Sequence, residues 1–233
     1  MKAKSVIVIL SILITINIVY GAPTNDSVIY AEAGNVTQLS VFDADSTTSF
    51  WQGYYGNVSG TITLGDANNY TMYSWIGGST TTGEIYATNE TVKNWAGVEC
   101  INLSTDYRGF NCQGENEQCL NITEIEDGYG MQATNADGFD ETFNETLGQI
   151  QVGTVTLSDC SKTDLFVNGT RADNDYWNET VLTINDTSTI IYASIINSDT
   201  YGYNNQTWDF QMIVADNPDV GAPTKYYIYT ELT

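Results

Sequence analysis

The sequence predicts an all-β protein that folds as a single β-sandwich, of the jelly-roll-like or immunoglobulin-like kind. Its apolar runs are short and rich in Tyr, Thr, Ile and Val, residues that suit a pleated, half-buried surface. Apolar residues alternate along them with a period of two, as at Phe210, Met212 and Val214. Turn signals such as Gly77-Gly78 separate the runs, and about eleven short strands divided by turns favour a sandwich.

The predicted strands run along the whole chain and leave one irregular stretch. In chain order they are residues 28–33, 36–42, 60–64, 70–76, 84–88, 98–103, 149–157, 180–184, 189–197, 208–215 and 225–232. The run 190–196 is apolar on both faces and is therefore expected as a central strand. Residues 105–148 hold many acids and glycines and are predicted as a loop-rich insertion, with one short turn of helix at 140–147.

The first residues have the pattern of a secretory signal peptide, predicted over 1–22. Lys2 and Lys4 precede a 16-residue apolar run, and the small residues Gly21 and Ala22 suit a cleavage site. The alternative is an uncleaved anchor helix, although the run is shorter than the roughly 18–20 residues of a spanning helix. We expect cleavage, a single extracellular domain over 23–233, and no membrane span once the leader is removed.

The charge balance excludes several classes of partner. All 29 acids follow the leader, together with only five basic residues, so the mature chain is strongly anionic. Such a surface repels nucleic acid and anionic lipid, and no basic patch exists to bind them. The acids are scattered, which favours a role in solubility, with divalent cation binding as the sharper alternative.

Glycosylation motifs are dense in a chain that carries an export leader. Asparagine stands two residues before Ser or Thr at twelve positions, more than this composition gives by chance. We therefore predict a secreted or cell-surface glycoprotein. The predicted sites are Asn25, Asn35, Asn57, Asn69, Asn89, Asn102, Asn121, Asn144, Asn168, Asn178, Asn185 and Asn205.

The four cysteines indicate two disulfides, because an exported chain folds in an oxidising place. Three pairings are possible. We favour Cys112–Cys119, which closes a short polar loop, together with Cys100–Cys160. Zinc binding is disfavoured, since the spacings are not C-x2-C and the chain has no histidine.

Catalytic motifs are missing from the sequence. Without histidine there is no Ser-His-Asp or Cys-His site, and no phosphate-binding or dinucleotide-binding loop is present. A pair of carboxylates could hydrolyse glycosidic bonds, but among 29 acids any such pair is uninformative. We therefore expect a protein that is not an enzyme and requires no cofactor.

Calcium is the small ligand that the acids could bind, since it prefers several oxygen ligands supplied by a turn. The best candidate set is Asn135, Asp137, Asp140 and Glu141, around a glycine. Weaker sets are Asp173 and Asp175 with Glu179, and Asp43 with Asp45. A solvated acidic loop is the competing interpretation in each case, because Asx residues also form turns.

The tryptophans divide into core and surface candidates. A β-sandwich needs large aromatic residues inside, so Trp51, Trp75, Trp95 and Trp208 are expected in the core. Trp177 stands among Asp and Asn, which predicts an exposed ring able to contact a sugar.

Residues 50–60 read FWQGYYGNVSG, a motif dense in aromatic residues and glycine. This motif resembles those of a family of archaeal exported proteins, and the likeness covers most of the mature chain. Further matching segments are 62–64, 73–75, 83–87, the surroundings of Cys100, Cys160, 166–169 and 208–214; Cys112 and Cys119 lie outside them. The resemblance implies an archaeal cell-surface setting and transfers no catalytic residue.

These observations together predict a non-enzymatic surface glycoprotein, a structural or adhesive part of the cell envelope or of a surface filament. Its partners would be other cell-surface proteins or further copies of itself, and the segment 26–33 could add as a strand to a neighbour's sheet. The alternative is a monomeric carbohydrate- or cell-binding module that uses Trp177. A secreted glycan hydrolase is less favoured.

Overall fold

The computed structural model describes residues 38–44, 50–59, 61–65, 71–76, 82–101, 103, 122–132, 134–171, 177–184, 189–217 and 224–232. The predicted leader and the predicted strand 28–33 lie outside these residues. None of the helices in the described part is long and apolar enough to cross a membrane.

The described chain is built mainly of antiparallel strands, with two short helices and one 3-10 turn at Trp95–Gly97. The helices are α1 (Ile122–Gly128) and α2 (Phe139–Thr142). The strands are β1 (Gln38–Ala44), β2 (Trp51–Ser59), β3 (Thr61–Gly65), β4 (Thr71–Ile76), β5 (Thr82–Thr88), β6 (Val98–Cys100), β7 (Glu145–Val152), β8 (Val155–Asp164), β9 (Phe166–Val167), β10 (Thr170–Arg171), β11 (Asn178–Ile184), β12 (Ile190–Asn197), β13 (Thr200–Tyr201), β14 (Thr207–Trp208), β15 (Phe210–Ala215) and β16 (Tyr227–Leu232).

Two sheets form the sandwich, which confirms the predicted fold class. The main sheet has the strand order β16-β5-β12-β11-β8-β7, and β6 also pairs with β11. The second sheet has the order β1-β2-β15. Pairs β3–β4, β9–β10 and β13–β14 are separate two-stranded hairpins. Strand β12, which the sequence predicts as central, is paired on both sides.

The inner face of the main sheet, which faces β1-β2-β15, carries the larger core. Alternation along β5, β11 and β12 places Ile85, Val181 and Tyr192 on this face. They pack with Trp51 and Met212 of the second sheet in one buried cluster. Burial of this apolar area contributes about 25 cal/mol per Å² and supplies the main favourable term for the sandwich.

The outer face of the same sheet carries a smaller core made by the sheet itself. Tyr86, Leu182 and Ile191 alternate with the inner-face residues and cluster with Ile150 of β7. The backbone N–H of Gly153, at the β7–β8 turn, donates to the carboxylate of Glu231 on the opposite edge strand. The sheet therefore curls enough for the β7–β8 turn to contact Glu231 of β16 over this face.

The disulfide predicted between Cys100 and Cys160 joins β6 and β8, two strands that pair with successive halves of β11. Strand β8 pairs with the first half of β11 and β6 pairs with the second half. The two cysteines lie with their Cα atoms 4.8 Å apart and form the bond at this junction. Cys112 and Cys119 lie outside the described residues.

Most predicted strands lie within two or three residues of observed ones, and two differences have clear causes. The single strand predicted at 149–157 is wrong, because a turn at Gly153, with φ +57°, divides the segment between β7 and β8. Strand β2 was not among the predicted strands, since its glycines and paired tyrosines interrupt the apolar alternation that indicates a strand.

The insertion predicted at 105–148 is wrong over its second half. Helix α1 and the segment through α2 place Ile125, Tyr129, Met131, Phe139 and Phe143 in the inner core, all at most 8 % exposed. The apolar residues of short helices were too few to show three turns of periodicity. This segment is therefore part of the sandwich filling, while 104–121 lies outside the described residues.

Candidate functional sites

Three predicted glycosylation sites lie exposed in the described part of the chain. Asn144 precedes β7, and Asn168 and Asn205 occupy turns. Asn168 has φ +47° and Asn205 has φ +60°, left-handed conformations that asparagine tolerates better than most residues. Each of the three side chains is open to the enzyme that would attach a glycan.

The other described sequons are less open, and one of them is closed. Asn57 and Asn89 are half-buried. Asn178 is only 5 % exposed, and its Oδ1 accepts a hydrogen bond of 3.1 Å from Lys162 Nζ. The fold therefore encloses the side chain of Asn178, which opposes glycosylation at this predicted site once the protein has folded. The remaining predicted sites lie outside the described residues: Asn25, Asn35, Asn69, Asn102, Asn121 and Asn185.

Trp177 is not the exposed sugar-binding ring that its polar neighbours in the sequence predict. Its side chain is 1 % exposed, and its indole N–H donates 2.7 Å to the backbone carbonyl of Tyr201. The sandwich uses it as a core anchor, so the predicted ligand-binding role is wrong.

The tryptophans predicted for the core follow that prediction to different degrees. Trp51 is buried against the rings of Phe139 and Phe143. Trp95 and Trp208 are half-buried in aromatic clusters, and the side chain of Trp75 lies outside the described part.

Three carboxylates converge at the rim of the inner core, where α1 meets α2. One oxygen from each of Glu126, Asp140 and Glu141 lies within 4.8 Å of the others. Glu126 is buried, Asp140 half-buried and Glu141 exposed, so the group opens to solvent on one side. We call it the α1–α2 acidic cluster.

Glycine at position 138 is what allows these side chains to close together. A Cβ atom there would lie 2.5 Å from Glu141 Oε2 and 2.8 Å from Glu126 Oε1, closer than real contacts allow. Glu126 Oε1 also accepts a 3.0 Å hydrogen bond from the backbone N–H of Phe139, at the first residue of α2. The buried carboxylate is thus held in place by the helix that carries the other two acids.

Glu141 is the member of the α1–α2 acidic cluster whose proton affinity is raised. A hydrogen bond with Asp140 is the largest cause that raises the pKa of Glu141, followed by partial burial and by the charges of Asp140 and Glu126. A proton or a hard cation would relieve the same repulsion, since carboxylate oxygens are the ligands that calcium prefers. The residues present fit the donor set, and calcium there stays a prediction.

The structure changes the membership of the predicted calcium set. Asp140 and Glu141 belong to it, but Asn135 Oδ1 accepts a hydrogen bond from the backbone N–H of Gln132. The carbonyl of Asp137 accepts the indole N–H of Trp51 at 2.7 Å, and the carboxylate of Asp137 is not part of the cluster. Sequence reasoning missed Glu126, although Ile122, Ile125 and Tyr129 have the i, i+3, i+7 spacing that indicates a helix face beside it.

The weaker calcium sets are not assembled within the described residues. Asp173, Asp175 and Asp45 lie outside them, as does the side chain of Asp43. Glu179 is fully buried between the two sheets, so it is not available to an acidic loop on the surface.

Glu179 instead satisfies the edge of the second sheet. Its Oε2 accepts hydrogen bonds from the backbone N–H of Ile213 at 2.7 Å and from Ser194 Oγ at 3.0 Å. Its Oε1 has no hydrogen-bond partner among the described residues. Burial raises the pKa of Glu179 to about 8, because the charged form loses its hydration.

A third carboxylate with raised proton affinity lies on the outer face. Glu84 of β5 is directly opposite Glu231 of β16. Partial burial, and then the charge of Glu231, raise the pKa of Glu84 to about 7. Glu231 also accepts a hydrogen bond from the hydroxyl of Tyr86 at 3.0 Å, so its charge is held in place at the strand edge.

Comparison of the chain with protein-family models, with curated proteins and with solved structures gives no match. The geometry of this chain's own residues is therefore the basis for the functional argument.

Proposed function

We propose that this protein is a non-enzymatic extracellular glycoprotein, a structural or adhesive component of a cell envelope or surface filament. The observation that carries the proposal is the density of sequons, three of which present exposed asparagines on the described surface. Cys100 and Cys160 at disulfide distance and the strongly acidic composition support it.

Strand addition is the proposed means of assembly. Strands β16 and β7 form the two ends of the main sheet's pairing order, so each has one side without a strand partner among the described residues. Such edges accept an added strand through main-chain hydrogen bonds. The segment 26–33, outside the described residues, is the proposed donor from a neighbouring copy.

Mass spectrometry of the native protein tests the export and glycosylation part of this proposal. Intact mass before and after enzymatic deglycosylation and reduction gives the leader cleavage, the sugar load and the number of disulfides in one experiment. We expect loss of the first 21 or 22 residues, several glycans and two disulfides. A full-length, unmodified chain with four thiols would refute the proposal.

Electron microscopy tests the assembly part separately. Purified mature protein and a variant lacking residues 26–33 are compared at equal concentration, with and without calcium. We expect filaments or oligomers that depend on the segment. Monomers in every condition would exclude self-assembly by strand addition while leaving the glycoprotein proposal intact.

A monomeric carbohydrate-binding module is the second candidate, now without Trp177. The observation that favours it is the exposure of two large rings, Phe166 at 51 % and Tyr201 at 61 %. Binding of the monomer to a glycan array, lost in Phe166→Ala and Tyr201→Ala, would support this function over the first.

A further inference from the structure

Two of the exposed sequons converge on one backbone atom, although 37 positions separate them in the sequence. The backbone N–H groups of Asn168 and Asn205 both donate to the carbonyl oxygen of Gly202, each at 3.1 Å. The two nitrogens therefore lie within twice that distance of each other. We call this region, formed by the β9–β10 hairpin and the β13–β14 hairpin, the glycan corner.

The buried side chain of Gln211 links the two hairpins of the glycan corner. Gln211 donates from Nε2 to the carbonyl of Phe166 at 2.8 Å, and its Oε1 accepts from the backbone N–H of Tyr203 at 3.1 Å. Gly202 is tightly enclosed, because a Cβ there would lie 2.8 Å from Trp208 Cδ1. The two hairpins therefore keep a fixed relation, and so do the asparagines at their turns.

The corner also carries the large hydrophobic side chains that the described surface leaves most exposed, Phe166 and Tyr201. Phe166 is two residues before Asn168, and Tyr201 is next to Gly202. The two exposed rings belong to the two hairpins that meet at Gly202, and together they offer apolar surface that a ligand could cover.

The chemistry of the corner indicates a neutral polar cover. Segments 165–170 and 200–208 contain no charged residue, and the one charged residue of the two hairpins is the exposed Arg171, which lies opposite Phe166 and is neutralised by Glu145. Amide, hydroxyl and aromatic groups remain, as in Asn204, Gln206 and Thr207. A sugar ring matches this surface, because its C–H face can pack on the negative face of an aromatic ring while its hydroxyls bond to amides.

We propose that N-glycans on Asn168 and Asn205 leave the protein side by side and lie over Phe166 and Tyr201. The ligand that covers the rings is thus the protein's own glycan. Because the glycan is already attached beside them, its packing on the rings costs little further translational entropy. This inference rests on the proposed function, since it requires a glycosylated protein. Its consequence is that glycan loss turns a covered corner into an exposed aromatic patch.

The test uses protein purified from its native host, or from a host with the same glycosylation. Glycopeptide mass spectrometry first measures occupancy at Asn168 and Asn205. Thr170→Ala and Thr207→Ala then remove both sequons while keeping the asparagines that the turns require, and both threonines are exposed. Thr146→Ala removes the exposed sequon at Asn144, which belongs to neither hairpin, although the adjacent Glu145 pairs with Arg171, and it is the matched control for loss of a neighbouring glycan.

The readouts are binding of a hydrophobic dye and retention on a hydrophobic column at equal protein concentration. We expect dye binding to rise at least about twofold in the T170A/T207A variant and to be unchanged in T146A. Adding Phe166→Ser and Tyr201→Ser to T170A/T207A is expected to restore the wild-type value. Circular dichroism confirms that every variant is folded.

The outcomes separate this inference from the glycoprotein proposal. A protein without any glycan refutes both. A protein glycosylated elsewhere, with either Asn168 or Asn205 bare, refutes only the glycan corner. Occupied sites with no rise in dye binding, or a rise that the serine substitutions do not reverse, also refute it. So does binding of added free polysaccharide to the glycosylated wild type through Phe166 and Tyr201, because the rings would then be open.

Discussion

The two faces of the main sheet are held by different means. The inner face packs on a second sheet and two helices, in a cluster that extends from Trp51 to Ala215. The outer face has a smaller cluster, enclosed by the curled β7–β8 hairpin and cross-linked by Cys100–Cys160. Apolar burial dominates the inner face. The outer face combines a smaller apolar cluster with the disulfide and with the hydrogen bond between Gly153 and Glu231.

Each face also contains a carboxyl group whose pKa is raised, and the two groups have different neighbours. Glu179 on the inner face accepts the outward N–H of an edge strand, so its burial is structural. Glu84 on the outer face stands opposite another glutamate at the sheet edge. Glu179 thus supplies a hydrogen-bond acceptor to the edge strand β15 from within the core. Glu84, in contrast, places a like charge next to Glu231 of the edge strand β16.

The largest effect we expect is a loss of stability with rising pH that depends on Glu179. Its folded pKa, about 8, lies above the ordinary glutamate value of 4.5, so the folded state binds the proton more tightly than the unfolded state. The contribution to stability is complete below pH 4.5 and is lost as the pH rises through 8. Because one pKa unit corresponds to about 1.4 kcal/mol, several kcal/mol are involved.

Urea unfolding of wild type and Glu179→Gln from pH 4.5 to 9 measures this effect, since glutamine imitates the protonated acid. The difference between the two curves should change sign in favour of the variant at high pH. Glu84→Gln is the control on the outer face. Because the pKa of Glu84 is about 7, this variant should remove only the loss of stability that occurs as the pH rises to about 7. Parallel curves for wild type and E179Q would show that Glu179 is ionised in the folded protein.

Removal of the disulfide should destabilise the outer face in particular. For the sequence separation of 60, the chain-entropy estimate of its contribution is about 4 kcal/mol. We expect the double variant Cys100→Ser/Cys160→Ser to lose about that much in chemical unfolding. Hydrogen exchange should quicken first at Ile101, whose amide donates to the carbonyl of Val181 on β11, and at Ser161, whose amide donates to the carbonyl of Ile101. A uniform increase in exchange rate over both faces would show that the disulfide does not stabilise the outer face in particular.

Calcium binding at the α1–α2 acidic cluster would stabilise the rim of the inner face. At a hundredfold excess of calcium over its dissociation constant, a folded-state site contributes about 2.7 kcal/mol. We expect calcium to raise the melting temperature of wild type and not that of Glu126→Gln. Glu124→Gln is the matched control, because Glu124 is exposed on the same helix and outside the cluster. Equal shifts in all three proteins would show that the acids are merely solvated.

The sequence was sufficient for features that depend on local pattern. Strands such as β12 and β15 follow apolar alternation and β-propensity, which act over neighbouring residues. Export and glycosylation motifs are also local patterns, and they stay predictions; at Asn178 the fold buries the asparagine of such a motif. The pairing of Cys100 with Cys160 agrees with the structure, although spacing alone left three possibilities.

Features made by distant residues were not predictable in the same way. Trp177 is surrounded by polar residues in the sequence, yet its burial and its hydrogen bond depend on Tyr201. Glu126 reaches Asp140 and Glu141 only because α1 and α2 pack together against the inner core. The convergence of Asn168 and Asn205 on Gly202 likewise requires two hairpins to be placed by the tertiary fold.

The smallest effect we expect concerns the backbone of β8 on the outer face. Asp159 has φ +62°, a left-handed conformation inside a strand, directly before Cys160. Valine suits ordinary strand positions but not this one, so Asp159→Val should cost about 1–2 kcal/mol. Thr156→Val is the matched control on the same strand, because that exposed position has no positive φ and valine favours it. Chemical unfolding measures both, and equal stability of the two variants would mean that the backbone at Asp159 relaxes freely.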